Sequence, residues 1–414
     1  MVSQRTANIL SGIGVSAVVL KILHTLYTNR TSNNKSTSKP SKHTTTTTTT
    51  TTTTGTDTDI NDNNTNLHET TLYEVGPYTQ LDLQQIKDII ENNYNLGTVI
   101  SYKVLKGGLS NSNYRIDTDT APYSILLKVC DNKTIDELRT QVQVLVILKQ
   151  YHIPIAYPIP QPKHISNHSI DSPDRYIIEL SNIKPIVLYD YIHGDWVRDP
   201  TESMVADVGT ALARLHSVPI HKFAGINVPE FPMGLISMVP MLQRINTQNE
   251  LKKYRRHEFV IFMTQHLKQL QSTITQYESQ LPHALCHSDL FVQNIMFSGQ
   301  NLLAFIDFEE LCIAPSLLDV AMTLTGCCYE VDDTLDINLA KSFLSAYTQQ
   351  RALNPLEVEL LPQYLEYSLL AIAAWRFHQF NIVQPDPVRR DSYLSMVRRI
   401  NTIEPEFLRS LVKQ

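Results

Sequence analysis

Between residues 285 and 307 the chain reads LCHSDLFVQNIMFSGQNLLAFID. Two short apolar runs flank Ser298-Gly299, which predicts a β-hairpin with those residues in its turn. Polar residues stand at fixed places around it. His287, Asp289 and Asn294 form the pattern H-x-D-x-x-x-x-N, and Asp307 closes the second strand. Burying an unpaired acid or amide is costly, so each must cap local structure or perform chemistry. A hairpin brings the start of one strand beside the end of its partner, so Asn294 and Asp307 are expected to meet. A fold that contains this hairpin must cover its apolar side chains and leave its polar end open.

The segments ahead of it supply a sheet. YTQLDLQQIKDIIENNYNLG carries Ile86, Ile89 and Ile90 at helical spacing and stops at Gly97. VISYKVLKGGLSNSNYRIDT alternates around Gly107-Gly108, predicting strand, glycine-rich turn, strand. Such a turn is either a simple hairpin or a backbone cradle for phosphate. YSILLKVCD is a third strand, with Lys128 among apolar residues. That lysine is either solvated at an edge or an interior cation with an anionic partner. TIDELRTQVQVLVILKQYHIP follows as a helix with Leu138, Val142, Leu145 and Leu148 on one stripe. RYIIEL and PIVLYDYI add two strands, ending near His193-Gly194. The sum is a five-stranded antiparallel sheet with one main helix.

Behind it the chain turns helical. ESMVADVGTALARLHSV places Val205, Val208, Leu212 and Leu215 on one face, and residues 250–281 read as helix. Helices resume at SLLDVAMTLTGCC and continue through LLAIAAWRFHQF and YLSMVRRI.

The first acid in the chain is Asp57, and six basic residues precede it. The body is therefore more acidic than the overall charge of −6 suggests, which argues against nonspecific nucleic-acid binding. Residues 7–27, ANILSGIGVSAVVLKILHTLY, have about the roughly 20-residue length of a membrane span, although Asn8, Lys21 and His24 interrupt them. Residues 1–30 are expected to be a membrane anchor or targeting segment, with a mitochondrial presequence or a secretory signal as alternatives. Residues 31–74, with eleven consecutive threonines at 44–54, are expected to be a disordered linker. The expected placement is membrane-anchored, with the body on the cytosolic face. The five cysteines include no C-x-x-C pair and read as reduced core residues.

Asp289 ahead of the hairpin can accept a proton from a hydroxyl. Asn294 and Asp307 offer the oxygen ligands that Mg²⁺ takes alongside phosphate and water. A lysine from a separate sheet can hold phosphates. Together these are the parts of phosphoryl transfer from ATP. His287 is read as a structural group bonding the loop backbone. Asp319 is read as a loop brace or helix cap, and Glu309 as a neighbour of the metal site or a solvated charge.

The stretch HSDLFVQNIMF…LLAFIDFEELCIAPSLLDVAMTL resembles the aminoglycoside phosphotransferase and choline kinase superfamily, and within it most resembles homoserine kinases. The likeness extends over about residues 75–400 and includes YTQLDLQQI, GGLSNSNYRI, ILLKV, YDYIHGDW, GTALARLHSV and AAWRFHQF. It implies an α+β, bilobal protein-kinase-like fold. The N-lobe would span residues 75–192 and the mostly helical C-lobe residues 193–414. It implies Asp289 as catalytic base and Asn294 and Asp307 on Mg²⁺. Lys128 would contact the phosphates of ATP, and Gly107, Gly108, Ser110 and Asn111 would cover them. Asp190, Tyr191 and Ile192 would be the hinge that receives adenine. The acceptor would be a small hydroxyl-bearing metabolite, homoserine-like, or else choline, ethanolamine or thiamine. A degenerate kinase acting as a nucleotide-binding scaffold is the other reading. A protein kinase is disfavoured by the short stretch between Asp307 and the next helix. Arg376 and Glu309 are candidate substrate contacts, and Trp196, Trp375 and Phe377 candidate pocket walls. Kinases of this kind pair the lysine with a helix glutamate. Here that position is Gln141, with Glu137 four residues earlier on the same face.

Overall fold

The computed structural model describes residues 79–105, 111–165, 168–230 and 233–412. The expected anchor at 1–30 and linker at 31–74 lie outside them, as do Gly107, Gly108 and Ser110.

The first helix, α1 (Leu83–Asn93), starts at a capping box in which Asp82 and Gln85 satisfy each other's backbone N–H groups. Strands β1 (Val99–Leu105), β2 (Ser112–Thr118) and β3 (Ser124–Val129) follow. Helix α2 (Ile135–Gln150) is opened by a second capping box, Thr134 with Glu137. Strands β4 (Ile177–Leu180) and β5 (Ile183–Asp190) complete an antiparallel sheet of order β1-β2-β3-β5-β4. Alternation along each strand gives the sheet two chemically different faces. Tyr114, Ile116, Ile125, Leu127, Val129, Ile186 and Leu188 are buried on one face with Ile86, Ile89 and Ile90 of α1. Each such side chain contributes about 1.5–3 kcal/mol by leaving water. The intervening Asn113, Arg115, Leu126 and Lys128 belong to the other face, and all four are only partly buried.

After β5 come α3 (Glu202–His216), α4 (Met233–Thr247) and α5 (Glu258–Tyr277). The segment expected as continuous helix from residue 250 instead begins as a 3₁₀ turn, Asn249–Arg256. The hairpin is β7 (Ile295–Ser298) with β8 (Asn301–Phe305). Ser298 pairs with Asn301, so the turn residues are Gly299 and Gln300 rather than Ser298 and Gly299, and Gly299 takes φ +59°. Two connections hold the hairpin in place. Asp195 and Phe297 exchange backbone hydrogen bonds of 2.9 Å, and the Phe305 N–H donates to the Pro154 carbonyl at 2.8 Å. Gly194 permits the first, because a β-carbon there would stand 2.5 Å from the Phe297 carbonyl oxygen.

A short ladder, β6 (His283–Cys286) with β9 (Cys312–Pro315), brackets the hairpin. Four-residue apolar runs carry too little periodicity for a sequence reading to find them. Helices α6 (Ser316–Cys327), α7 (Ile337–Gln350), α8 (Pro355–Phe377), α9 (Tyr393–Ile400) and α10 (Pro405–Val412) follow, with a π-helical turn at His378–Val383 extending α8. Helix α8 packs against α4, α5, α6, α9 and α10, and α3 runs along α7. All five cysteines are free and buried.

The membrane-anchored placement expected above is corrected. Among the described residues no helix is long and apolar enough to cross a membrane. Helix α8 is long but carries Glu357, Glu359, Glu366 and Arg376, and its apolar residues are spent on neighbouring helices.

Candidate active site

Asp289 and Asn294 are joined directly. The Asn294 side-chain amide donates to the Asp289 carboxylate at 3.0 Å and to the Asp289 carbonyl at 2.7 Å. A 3₁₀ turn, Val292–Asn294, delivers Asn294 to the mouth of β7. Its carbonyl accepts from the Ile306 N–H at 2.9 Å, which ties both ends of the hairpin together one residue before Asp307. Asp307 itself adopts a left-handed backbone, φ 65° and ψ 59°, uncommon for a residue other than glycine. That turn directs the chain away from β8 and leaves the Asp307 side chain 44% exposed.

The loop is supported from beneath. His287 is buried; its Nε2–H donates to the Ile306 carbonyl at 2.9 Å and its Nδ1 accepts from the Asp289 N–H at 3.3 Å, a tautomer set by those partners. Burial pushes the His287 pKa down, against the Asp319 charge, which keeps the ring neutral. Asp319, fully buried in the first turn of α6, accepts from the backbone N–H groups of His287 at 2.6 Å and Ser288 at 2.7 Å. His216 of α3 meets the same carboxylate at 3.2 Å and the Tyr347 hydroxyl at 2.7 Å. The sequence contained the signal for this brace, a histidine and an aspartate in apolar helices, but their meeting spans 103 residues.

From the sheet, Lys128 reaches the same place. Its ammonium lies 3.1 Å from Asp307 and 2.5 Å from Glu309. Neither helix candidate holds it in that way. The Glu137 carboxylate closes the capping box of α2, accepting from the Thr134 N–H and hydroxyl at 2.8 and 2.7 Å. Gln141 is buried within α2. Glu309 also accepts from the Asn111 side chain, and its carbonyl accepts from Lys133 at 2.6 Å. Lys133 was not foreseen, since it lies beyond the strand in an unpatterned loop.

The electrostatics are those of crowded acids. Burial pushes the Asp289 pKa well up, and the charges of Asp307 and Glu310 push it further, against the hydrogen bond from Asn294. Partial desolvation by the surrounding protein raises Asp307, but Lys128 outweighs it and holds Asp307 below the usual carboxylate range. The Glu310 carboxyl is pushed up to about 7, mainly by burial; Lys133 opposes the rise, and Glu309 and Asp307 add to it. Burial alone would favour a neutral Lys128, but Asp307 and Glu309 keep it charged. Among the described residues, one carboxylate oxygen of Glu310 and the side-chain oxygen of Asn111 are buried without a hydrogen-bond partner. Hard oxygen donors that repel one another beside the ammonium groups of Lys128 and Lys133 fit a divalent cation and a polyphosphate.

Other candidates lie elsewhere or serve packing. Arg376 donates to the Ser392 carbonyl at 3.1 Å, which ties α8 to the start of α9. Phe377 is fully buried among Tyr254, His257, Phe259 and Tyr393, so it is core and not a pocket wall. Trp196 and Trp375 are exposed. Asp190 ends β5, its N–H donating to the Tyr157 carbonyl at 2.9 Å; Tyr191 and Ile192 follow, and the Ile192 carbonyl accepts from Gly194.

An antiparallel five-stranded sheet presenting a lysine to an acid–amide–acid set around a hairpin, with a helical remainder, defines a bilobal, protein-kinase-like fold of the small-molecule kinase class. Comparison with known proteins agrees. The phosphotransferase enzyme family matches residues 101–356, and the chain belongs to that family. It is a phosphotransferase that acts on hydroxyl groups. The homoserine kinase of Nitrobacter hamburgensis is 26% identical over 327 residues, covering 78% of this chain and 93% of the relative. Two solved structures share the fold. A complex of amicoumacin kinase with AMP-PNP and Ca²⁺ has a TM-score of 0.57 at 14% identity, covering 79% of this chain and 97% of that one. A microcompartment-associated aminopropanol kinase has a TM-score of 0.55 at 15% identity, covering 80% and 99%. Kinases of this family use ATP and a divalent metal.

Proposed function

We propose that the chain is an ATP-dependent kinase that transfers the γ-phosphoryl group to the hydroxyl of an amino-acid-like or amino-alcohol metabolite, with homoserine the first candidate. The observation that carries this reading is the meeting of Asp289, Asn294 and Asp307 with Lys128 of β3. The name of the 26%-identical relative supports homoserine as acceptor. In this reading the chain divides into an N-lobe, residues 75–192, and a C-lobe, residues 193–414.

Asp289 orients the acceptor hydroxyl and takes its proton as the oxygen attacks phosphorus. Its raised proton affinity, from burial and neighbouring acids, suits a base. Asn294 spends its amide N–H groups on Asp289, which leaves its side-chain oxygen available to a metal. Asp307 is the second metal ligand, and Glu309 stands next to both. A divalent metal such as Mg²⁺, held by Asn294 and Asp307, would supply positive charge to neutralise the transferring phosphates. Lys128 exchanges carboxylate partners for phosphate oxygens when nucleotide enters. Asn111, with the glycine-rich loop 107–110, covers those phosphates, and residues 190–192 receive the base. Glu309 acts on Lys128 rather than on the acceptor, and Arg376 braces α8 against α9.

The test is Mg²⁺-dependent ATP turnover against homoserine, choline, ethanolamine and thiamine, read by the mass gain of one phosphate. Turnover with homoserine, abolished by chelator and restored by Mg²⁺, is expected. Turnover only with choline, ethanolamine or thiamine would keep the kinase and replace the acceptor. No turnover with any of them and no thermal shift on adding Mg-ATP would sink the reading.

A further inference from the structure

We infer that Arg115 is a nucleotide-binding residue, its side chain forming with Leu126 and Tyr191 the surface against which the base of the bound nucleotide lies. This rests on the proposed reading, in which Lys128 takes the phosphates and residues 190–192 the base.

Arg115 of β2 is paired with Leu126 of β3, and Leu126 with Tyr189 of β5; one step along, Asn113 is paired with Lys128. Strand alternation puts Arg115, Leu126 and Lys128 on one face, opposite the face that α1 covers. Leu126 and Lys128 are two residues apart, roughly 7 Å along the strand. A nucleotide with its phosphates at Lys128 and its base at the end of β5 must therefore cross the Arg115–Leu126 pair.

The guanidinium is already aimed at the base end. Its central carbon lies 4.9 Å from the centroid of the Tyr191 ring, and that ring meets His193 edge-on at 5.0 Å. It is also held in place. Arg115 Nε donates to Asp117 at 2.9 Å and Nη2 to the Ser124 hydroxyl at 3.3 Å. Asp117 in turn accepts from Ser124 at 2.7 Å and Ser101 at 2.9 Å. A planar cation fixed on the cleft face can stack on a purine, while its hydrocarbon stem adds apolar cover. The competing account makes Arg115 only a tie between strands. That account predicts lost stability with no effect specific to the base.

The two accounts are separated with full-length Arg115→Met and Arg115→Lys. Calorimetric titration compares Mg-ATP with Mg-tripolyphosphate, which shares the phosphates but has no base, and Tm is recorded for each variant. Arg115→Met keeps an unbranched stem and removes the planar cation. It is expected to weaken ATP binding about tenfold, between the sizes of an exposed and a desolvated cation–π contact. Tripolyphosphate binding should stay within about twofold. Arg115→Lys, which keeps charge but not the plane, should fall between. Equal weakening of both probes, or unchanged ATP binding in a folded variant, would overturn the assignment. Wild type that binds neither probe would remove the kinase reading as well, a result distinct from either.

Discussion

The Asp319 carboxylate accepts a hydrogen bond of 2.6 Å from the backbone N–H of His287, two residues before Asp289. A side chain of α6 thereby sets the backbone from which the proposed base projects. A second bond, to the Ser288 N–H, is made where the chain takes the left-handed φ of 68°. Without an acceptor for both N–H groups that conformation would leave two buried donors unpaired.

Asp319→Asn replaces one acceptor oxygen with an NH₂ group facing a donor. Loss of about 3–5 kcal/mol is expected, as for breaking other buried charge networks, read by urea unfolding. Burial raises the Asp319 pKa, but His216 and then His287 outweigh it and hold it below its ordinary value of 3.8. A lowered folded-state pKa adds stability above the unfolded value and loses it as pH falls through the folded one. The gap between wild type and Asp319→Asn should therefore be full at neutral pH and shrink only as pH drops below about 4. A gap that persists undiminished in acid would contradict this account.

Asp289→Asn keeps the shape of the loop and removes the proposed proton acceptor. A fall of about 10²–10⁴-fold in kcat is expected, with KM for ATP little changed. Steady-state kinetics with whichever acceptor the turnover screen yields decide it; a loss confined to KM would point to substrate holding instead.

Lys128→Met removes the charged hydrogen bonds proposed for phosphate. A loss of roughly 10–100-fold in kcat/KM for ATP is expected, equivalent to about 1.5–3 kcal/mol. Because Asp307 and Glu309 also lose their cation, Tm should be compared in parallel. Unaltered kinetics in ATP would remove Lys128 from the nucleotide site.

Gly326→Ala tests the packing of α6 under the loop. A β-carbon there would stand 2.8 Å from the Phe291 Cα and 2.9 Å from the Leu290 carbonyl oxygen, both main-chain atoms that cannot swing aside. Destabilisation of about 1–3 kcal/mol is expected, together with reduced kcat, since Phe291 lies between Asp289 and Asn294. Full activity and unchanged Tm would show that the loop yields more easily than close packing allows.

The five cysteines should resist a thiol reagent such as Ellman's in the native protein at pH 8 and react together on unfolding. Burial pushes the thiols of Cys130 and Cys327 up to about 12 and that of Cys328 well above its ordinary value, so little thiolate forms. Rapid labelling of any one of them would require local opening at that site.

Much of this organisation was legible in local pattern. The sheet, α1, α2 and α3 follow from alternation and helical spacing at residues such as Tyr114, Leu138 and Val205, where burial repeats every two or every three to four residues. Asp289, Asn294 and Asp307 could be grouped because one hairpin joins them. The ladder of β6 with β9 was not legible, since each strand is four residues long. Phe377 read as a pocket candidate because chemistry alone suggests sites; its aromatic neighbours make it core.

By itself, then, the chain's order of residues determined the longer strands and helices of the N-terminal half, the hairpin and the acid–amide–acid set, because these depend on contacts between near neighbours. Tertiary structure decided which cations and acids meet. Lys128 lies beside Asp307 across 179 positions, and Asn111 beside Glu309 across 198. It also put Arg115 on the Lys128 face of the sheet, with its guanidinium over Tyr191. A charged side chain carries no periodicity that names its partner, and its partner is fixed only when distant backbone segments pack.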